Sequence, residues 1–124
     1  MDKIHLADPS KLDSIKGFLE GSKKVVFCVG YEGCPPCRGL KSVIKKDSTE
    51  YKLVYLDIQI FPEFRQYGMG GVPTWVAYDG DKLQFSGKGF PTFTDKELEA
   101  FFRDEFPQRA HKLEEFAESI LNAG

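Results

Sequence analysis

The chain has 124 residues, a length that suits one folded domain. Hydrophobic residues make up 41% and charged residues 29%, and a net charge of −2 leaves no basic surface of the kind that binds nucleic acid or an anionic membrane. The N-terminus lacks the apolar run of a secretory signal, and the longest strongly apolar stretch, residues 25–29, is too short to cross a bilayer. We therefore expect a cytoplasmic protein.

Helical and strand patterns alternate over the first half of the chain. Asp8 as N-cap and Pro9 as the first helical residue predict the start of a helix, and Gly21 predicts its end. Residues 25–29 form a continuous apolar run of strand length, which is typical of a central strand buried on both faces. Residues 53–58 predict a second buried strand. Between these strands a helix is predicted, with an apolar stripe of Cys37, Leu40, Val43 and Ile44.

The second half predicts a hairpin followed by helices. Residues 62–67 predict a short helix, and strands 74–78 and 83–85 are joined by the turn signal Asp79-Gly80. A capping box at Thr94-Asp95-Lys96-Glu97 predicts another helix. This order of elements predicts an α/β fold with a mixed sheet sandwiched by helices.

One extra helix is predicted at the C-terminus. Pro107 ends or kinks the helix before it. The apolar stripe of the last helix is Ala110, Leu113, Ala117, Ile120 and Leu121. We expect this stripe to pack on the surface of the same domain; contact with a second copy or another partner is the alternative.

The three cysteines give the strongest chemical signal. Their odd number argues against a disulfide-stapled secreted scaffold. The segment Cys34-Pro35-Pro36-Cys37 lies between a buried strand and a helix start, where unpaired N–H groups and the helix dipole favour a thiolate. Cys34 is thus the candidate nucleophile, and Cys37, one turn deeper, the candidate resolving thiol. Pro35 and Pro36 fit a first turn, where an N–H has no intrahelical acceptor.

Two other uses of these cysteines are less favoured. A structural zinc ion needs four ligands, but Cys28 is predicted in mid-strand, and His5 and His111 lie in distant segments. A structural disulfide across two residues closes a loop too small to stabilise much. The sequence therefore favours a redox dithiol without a metal.

The chain resembles the thioredoxin family. The family's W-C-G-P-C motif corresponds to Gly33-Cys34-Pro35-Pro36-Cys37, and its Y-G-[IV]-x-[GS]-[IV]-P-T segment to residues 67–74, Tyr-Gly-Met-Gly-Gly-Val-Pro-Thr. The resemblance covers residues 1–106, which are expected to form a thioredoxin domain with the thioredoxin fold. Residues 107–124 are then a C-terminal helical extension.

The resemblance implies a substrate groove beside the dithiol. It implies a cis peptide bond between Val72 and Pro73, although an ordinary strand-entry proline is the alternative. Val72 would offer backbone hydrogen bonds to an extended substrate, and Gly71 would let that substrate approach. The further substrate-binding residues implied are Gly33 and Gly89, the latter in a glycine loop at residues 87–89.

Three departures from the family pattern affect the site. Cys28 stands where the family has a buried Asp that takes the proton of the resolving thiol, and a buried Cys is a poor replacement. Gly33 and Gly30 stand where the family has Trp, so the loop should be more flexible. Pro-Pro replaces Gly-Pro between the cysteines. The residues expected to support the active site are Pro35, Pro36, Pro73 and Cys28.

The resemblance implies a protein-disulfide reductase that serves electron transport and cell redox homeostasis. No cofactor is bound besides the redox-active disulfide Cys34–Cys37, and reducing equivalents come from NADPH through a thioredoxin reductase, or from another thiol reductant. Its partners are disulfide-containing proteins, and we expect a monomer. The alternatives are a disulfide oxidase or isomerase, and a binding module on the same fold that does not use its cysteines. A glutaredoxin-like role has less support.

Overall fold

A five-stranded mixed sheet organises the computed structural model, which describes residues 3–46, 50–89 and 109–122. The strands in chain order are β1 (Ile4–Leu6), β2 (Lys24–Gly30), β3 (Lys52–Asp57), β4 (Thr74–Asp79) and β5 (Lys82–Lys88). The helices are α1 (Leu12–Leu19), α2 (Pro35–Lys46), a 3₁₀ helix (Pro62–Tyr67) and α3 (His111–Leu121).

Strand β2 lies at the centre of the sheet, whose order is β1-β3-β2-β4-β5. It runs parallel to β3, with Cys28 opposite Tyr55, and antiparallel to β4, with Cys28 opposite Trp75. The outer pairs are β1 with β3, which is parallel, and β4 with β5, which is antiparallel. The continuous apolar run of β2 follows from this position, because both of its faces are covered.

The two faces of the sheet carry separate cores. On one face, buried residues of β2, β3 and β4 pack against α1, the 3₁₀ helix and α3, with Ile15, Phe64 and Leu113 at the contacts. On the other face, alternate residues of the same strands pack against α2, through Cys37 and Leu40 among others. This alternation follows from the two-residue period of a strand and confirms the predicted helix–sheet–helix sandwich.

Two elements differ from the sequence-based prediction, and the short helix predicted at residues 62–67 is confirmed. Strand β1 was not predicted, because three residues are too short for a period to be read, yet it pairs with β3. Helix α1 begins at Leu12 rather than at Pro9. The Asp8 carboxylate accepts hydrogen bonds from Ser10 N (2.9 Å) and Ser10 Oγ (2.7 Å), so it closes a turn before the helix instead of capping it. Residues 62–67 form a 3₁₀ helix.

The remaining elements agree with the prediction where they are described. Gly21, in the left-handed region with φ +76°, follows the end of α1, and the Asp79-Gly80 turn joins β4 to β5. The helix predicted from residues 94–97 and the break at Pro107 lie outside the described residues, and the domain boundary at 106/107 stays a prediction. Within the described ranges, every helix is too short or too polar to span a membrane.

A buried polar network attaches α3 to the sheet. The carboxylate of Glu114, which is buried, accepts hydrogen bonds from Ser86 Oγ of β5 (2.6 Å) and from both the Nε and Nη2 atoms of Arg109. The same Ser86 hydroxyl accepts a hydrogen bond from Ala110 N (2.8 Å) at the start of the helix. Both carboxylate oxygens of Glu114 therefore have partners, which is the condition for burying a charge without a large penalty.

We predict that Glu114→Ala lowers the free energy of unfolding by about 2–3 kcal/mol, because it removes a charged acceptor and leaves Ser86 and Arg109 without it. Urea unfolding followed by circular dichroism measures this change. Glu115→Ala is the matched control, since Glu115 is exposed on the same helix. Equal losses in the two variants would contradict the stabilising role of the network.

Candidate active site

Cys34 is the N-cap residue of α2. Its carbonyl oxygen accepts the first hydrogen bond of the helix, from Arg38 N at 3.1 Å, and its Sγ accepts a hydrogen bond from Cys37 N at 3.4 Å. Both cysteines are free thiols in this structure. The strand–helix junction thus places the sulfur of Cys34 at the positive end of the helix dipole, as the sequence predicted.

The two prolines leave this helix terminus with few donors. Pro35 and Pro36 are the first two residues of α2, and neither has an N–H group. The first N–H of the helix is therefore that of Cys37, and it is directed at Cys34 Sγ. The Cys34 sulfur therefore receives a hydrogen bond from one main-chain N–H, at a helix start where three unpaired N–H groups are usual.

Accessibility separates the roles of the two thiols. Cys34 retains 3% of its surface and Cys37 retains none, while the preceding residues Glu32 and Gly33 are exposed. Both thiols are buried, and Cys34 differs in that it adjoins these exposed loop residues. This difference agrees with Cys34 as nucleophile and Cys37 as resolving thiol.

The environment of Cys37 disfavours its ionisation. Burial raises the pKa of Cys37 to about 12, and the neighbouring Cys34 thiol adds to the rise. The main chain of Tyr31 and the hydroxyl of Tyr55 act in the opposite direction and lower this pKa. Cys37 is therefore a protonated thiol at neutral pH, and it must lose that proton before it can attack.

Gly30 makes room for the dithiol at the end of β2. A Cβ atom on Gly30 would lie 2.6 Å from Cys37 Sγ and 2.8 Å from the hydroxyl oxygen of Tyr55, both closer than real Cβ contacts. Gly30 was predicted in the loop, where it would increase flexibility; that placement was wrong, because its backbone pairs with Asp57 within the sheet. Its missing side chain instead lets the first turn of α2 lie directly on the sheet.

Cys28 is a buried strand residue below the dithiol. It has no exposed surface, and its Sγ lies 3.8 Å from the Val29 carbonyl oxygen. Burial raises the pKa of the Cys28 thiol well above its usual value, and the thiols of Cys37 and Cys34 add to this rise. A thiol that stays neutral cannot take a proton from Cys37, so Cys28 does not do the work of a buried carboxylate.

The loop before β4 faces the dithiol. The Val72–Pro73 peptide bond is cis, as the resemblance implied, and Val72 packs against the core cluster that contains both cysteines. Thr74 Oγ1 holds this loop by donating to Gly71 O (2.8 Å) and accepting from Met69 N (3.1 Å). A cavity of about 340 Å³ opens beside it. Its lining includes Tyr31, Arg65, Gly71 and Val72.

Of the predicted substrate-binding residues, Gly71 and Val72 line this cavity, and Gly33 and Gly89 lie outside its lining. Gly33 lies next to Cys34, with the Tyr31 ring 3.5 Å from where its Cβ would be. Gly89 N donates to Pro73 O at 3.2 Å, which brings Gly89 to the loop that contains the cis bond. The glycine loop predicted at 87–89 is shorter, because Gly87 and Lys88 belong to β5.

Sequence reasoning missed the side chains that reach the site from other elements. These are Tyr31, Tyr55, Arg65 and Lys88. Tyr55 is an ordinary residue of an apolar strand in the sequence, and only its pairing opposite Cys28 would have indicated its place. Within the described ranges, no group of three or more His, Cys, Asp or Glu side chains is placed to hold a metal ion.

The protein has a free dithiol at the start of a helix that follows the central strand of a mixed sheet, and a cis-proline loop lies beside it. These features define a thioredoxin-like protein with paired cysteines. The chain has the thioredoxin fold. It is similar to oxidised thioredoxin O1 of Arabidopsis thaliana, with a TM-score of 0.53 and 20% identity, covering 78% of this chain and 92% of that chain.

Two further solved structures share this fold. Schistosoma mansoni thioredoxin gives a TM-score of 0.50 at 18% identity, covering 83% of this chain and 97% of its own. A designed protein gives a TM-score of 0.51 at 17% identity, covering 82% of this chain and 95% of its own. No protein-family model and no curated protein matches the sequence. The structural likenesses thus confirm the predicted thioredoxin fold.

We predict that Gly30→Ala lowers the free energy of unfolding by about 1–3 kcal/mol, because the added methyl group overlaps Cys37 Sγ and the Tyr55 hydroxyl. Gly17→Ala is the control: Gly17 lies in α1 with nothing within 4 Å of its Cβ position, so this change should stabilise the protein by about 0.5–1 kcal/mol. Chemical denaturation measures both. A Gly30→Ala protein as stable as the native one would rule out the close contact.

We predict that attack by Cys37 on a disulfide formed at Cys34 accelerates about tenfold per pH unit between roughly pH 7 and 9. The raised pKa of Cys37 lies above this range, so its thiolate fraction rises with pH throughout. With Ellman's reagent, the second release of thionitrobenzoate reports this step, and stopped-flow absorbance measures it. A rate that levels off below pH 9 would show that Cys37 ionises far more easily than its burial indicates.

Proposed function

We propose that this protein is a thiol–disulfide oxidoreductase of the thioredoxin family that reduces protein disulfides by dithiol exchange. The observation that supports it most strongly is the hydrogen bond from Cys37 N to Cys34 Sγ at the start of α2. It directs the first N–H of the helix at the Cys34 sulfur and keeps Cys37 within one helical turn of that sulfur. The Val72–Pro73 loop and its cavity provide a surface for the substrate chain.

The proposed reaction has two steps. The Cys34 thiolate attacks one sulfur of a substrate disulfide, forms a mixed disulfide and releases the other sulfur as a thiolate. Cys37 then loses its proton and attacks Cys34 Sγ, so the Cys34–Cys37 disulfide forms and the bond to the substrate breaks. The two substrate sulfurs leave with two protons, and the dithiol of the enzyme is oxidised.

An external reductant must restore the dithiol. We propose that the electrons come from NADPH through a thioredoxin reductase, or from another thiol, and that the protein itself binds no cofactor. Disulfide-containing proteins are its proposed substrates, and the cytoplasm is its proposed location. A reduction potential below roughly −200 mV would fit a reductase in that compartment, whereas a much higher one would fit an oxidase or isomerase.

Reduction of insulin disulfides driven by dithiothreitol tests the proposal. The native protein should accelerate the precipitation of insulin chains, and Cys34→Ser should abolish that acceleration, because it removes the proposed nucleophile. No acceleration by the native protein over dithiothreitol alone would contradict a general reductase and favour a binding module that does not use its cysteines.

Trapping of the mixed disulfide assigns the two thiols. Cys37→Ser should accumulate a covalent adduct with a disulfide substrate, because the resolving thiol is gone, and mass spectrometry should locate the adduct on Cys34. Cys34→Ser is the matched control and should trap none. An adduct on Cys28 would contradict the assignment, since that thiol is fully buried.

A further inference from the structure

The hydroxyl of Tyr55 lies in the same small space as the sulfur of the resolving thiol. Tyr55 comes from β3, and its hydroxyl oxygen and Cys37 Sγ lie 2.8 and 2.6 Å from one common point, the Cβ position of Gly30. The ring of Tyr55 is buried in the same core cluster as both active-site cysteines. The space that Gly30 leaves empty is therefore shared by a sulfur and a phenolic oxygen.

This hydroxyl has an unused hydrogen bond in the reduced protein. The Tyr55 oxygen is buried and has no hydrogen-bond partner within the described ranges. A buried O–H without a partner is unfavourable and uncommon in folded proteins, so its retention calls for a reason. A thiol is a weak acceptor, whereas a thiolate is a strong one. The missing partner can thus be the thiolate that Cys37 becomes during the reaction.

We infer that Tyr55 donates a hydrogen bond from its hydroxyl to the Cys37 sulfur as that sulfur becomes a thiolate, and that this donation accelerates the resolving step. The inference rests on the proposed function, because it concerns the second step of the same exchange. It assigns to a residue of β3 the donation of a hydrogen bond to the Cys37 sulfur, since the first N–H of α2 is directed at Cys34 instead.

The role is that of a donor rather than a base. Burial raises the pKa of Tyr55 far above its usual value, and the nearby thiols of Cys28 and Cys37 add to this rise, so the phenol keeps its proton. The proton of Cys37 passes to solvent and is balanced by the proton that the departing substrate thiolate takes up. One S–S bond forms between Cys34 and Cys37, and the bond from Cys34 to the substrate breaks.

The charges around Tyr55 favour donation. Lys41 Nζ of α2 lies 3.8 Å from the centroid of the Tyr55 ring, so a positive charge covers the π face of the phenol. This cation withdraws electron density from the ring and makes its O–H a better donor. The other titratable groups that act on the pair are Cys28 from β2, Asp57 from β3 and Cys34 at the N-cap of α2.

Ellman's reagent separates the two steps in one experiment. The first release of thionitrobenzoate reports attack by Cys34, and the second reports displacement by Cys37. In Tyr55→Phe the first phase should be unchanged, and the second should slow on the order of 10- to 100-fold at pH 7, because one hydrogen bond to a charged acceptor is lost. Across roughly pH 7–9, where the second phase of both proteins accelerates with pH, the rate of Tyr55→Phe should stay below the native rate by this factor.

Tyr51→Phe is the matched control, because Tyr51 is buried in the same core cluster but is not among the groups that act on Cys37. Its two phases should keep the native rates. Thermal unfolding of the reduced proteins supplies a second readout: Tyr55→Phe should melt no lower than the native protein, because the lost oxygen has no partner there.

The possible outcomes distinguish the two proposals. A native second phase and an unshifted pH profile in Tyr55→Phe would overturn the role of Tyr55 and leave the reductase proposal standing. Equal slowing in Tyr51→Phe would also overturn it, because the effect would then be one of packing. Absence of the first phase in the native protein would contradict both.

Discussion

The contact between Gly30 and Cys37 is the constraint on which the site depends. A Cβ atom on Gly30 would overlap the Cys37 sulfur, so the first turn of α2 can lie on the end of β2 only because this residue has no side chain. This seating buries Cys37 completely and places Cys34 next to the exposed residues Glu32 and Gly33. The order proposed for the reaction, in which Cys34 attacks and Cys37 resolves, therefore depends on one close approach of backbone to sulfur.

The two faces of the sheet divide stability from chemistry. On the α2 face, the strands bury three thiols and two tyrosines together. On the opposite face, α3 is attached to β5 through the Glu114 and Ser86 network, and aromatic rings such as Phe27 and Phe116 pack edge to face. The Tyr55 hydroxyl on the α2 face has no hydrogen-bond partner within the described ranges, which lowers the stability of the fold. Burial of apolar side chains on the opposite face offsets this loss.

Features encoded by local pattern could be predicted from the sequence, and features set by pairing through space could not. The apolar run of β2, the helix start at Cys34 and the Asp79-Gly80 hairpin each have a local cause, and the structure contains all three. Strand β1 exists only because β3 offers it an edge, and three residues show no period. Tyr55 reaches the site because it lies opposite Cys28 in the pairing of β2 with β3. The sequence of a strand does not show which residue of a neighbouring strand it will face.

The Pro-Pro dipeptide explains why a donor from β3 matters. In a helix whose first residues carry N–H groups, the terminus can stabilise negative charge on either sulfur nearby. Pro35 and Pro36 remove two of those donors, and the next one, Cys37 N, is directed at Cys34. The inner sulfur then has the Tyr31 main chain and the Tyr55 hydroxyl to oppose the effect of burial. Because Pro35 and Pro36 offer no N–H groups, the proposed stabilisation of the Cys37 thiolate comes from Tyr55 of the sheet and not from the terminus of α2.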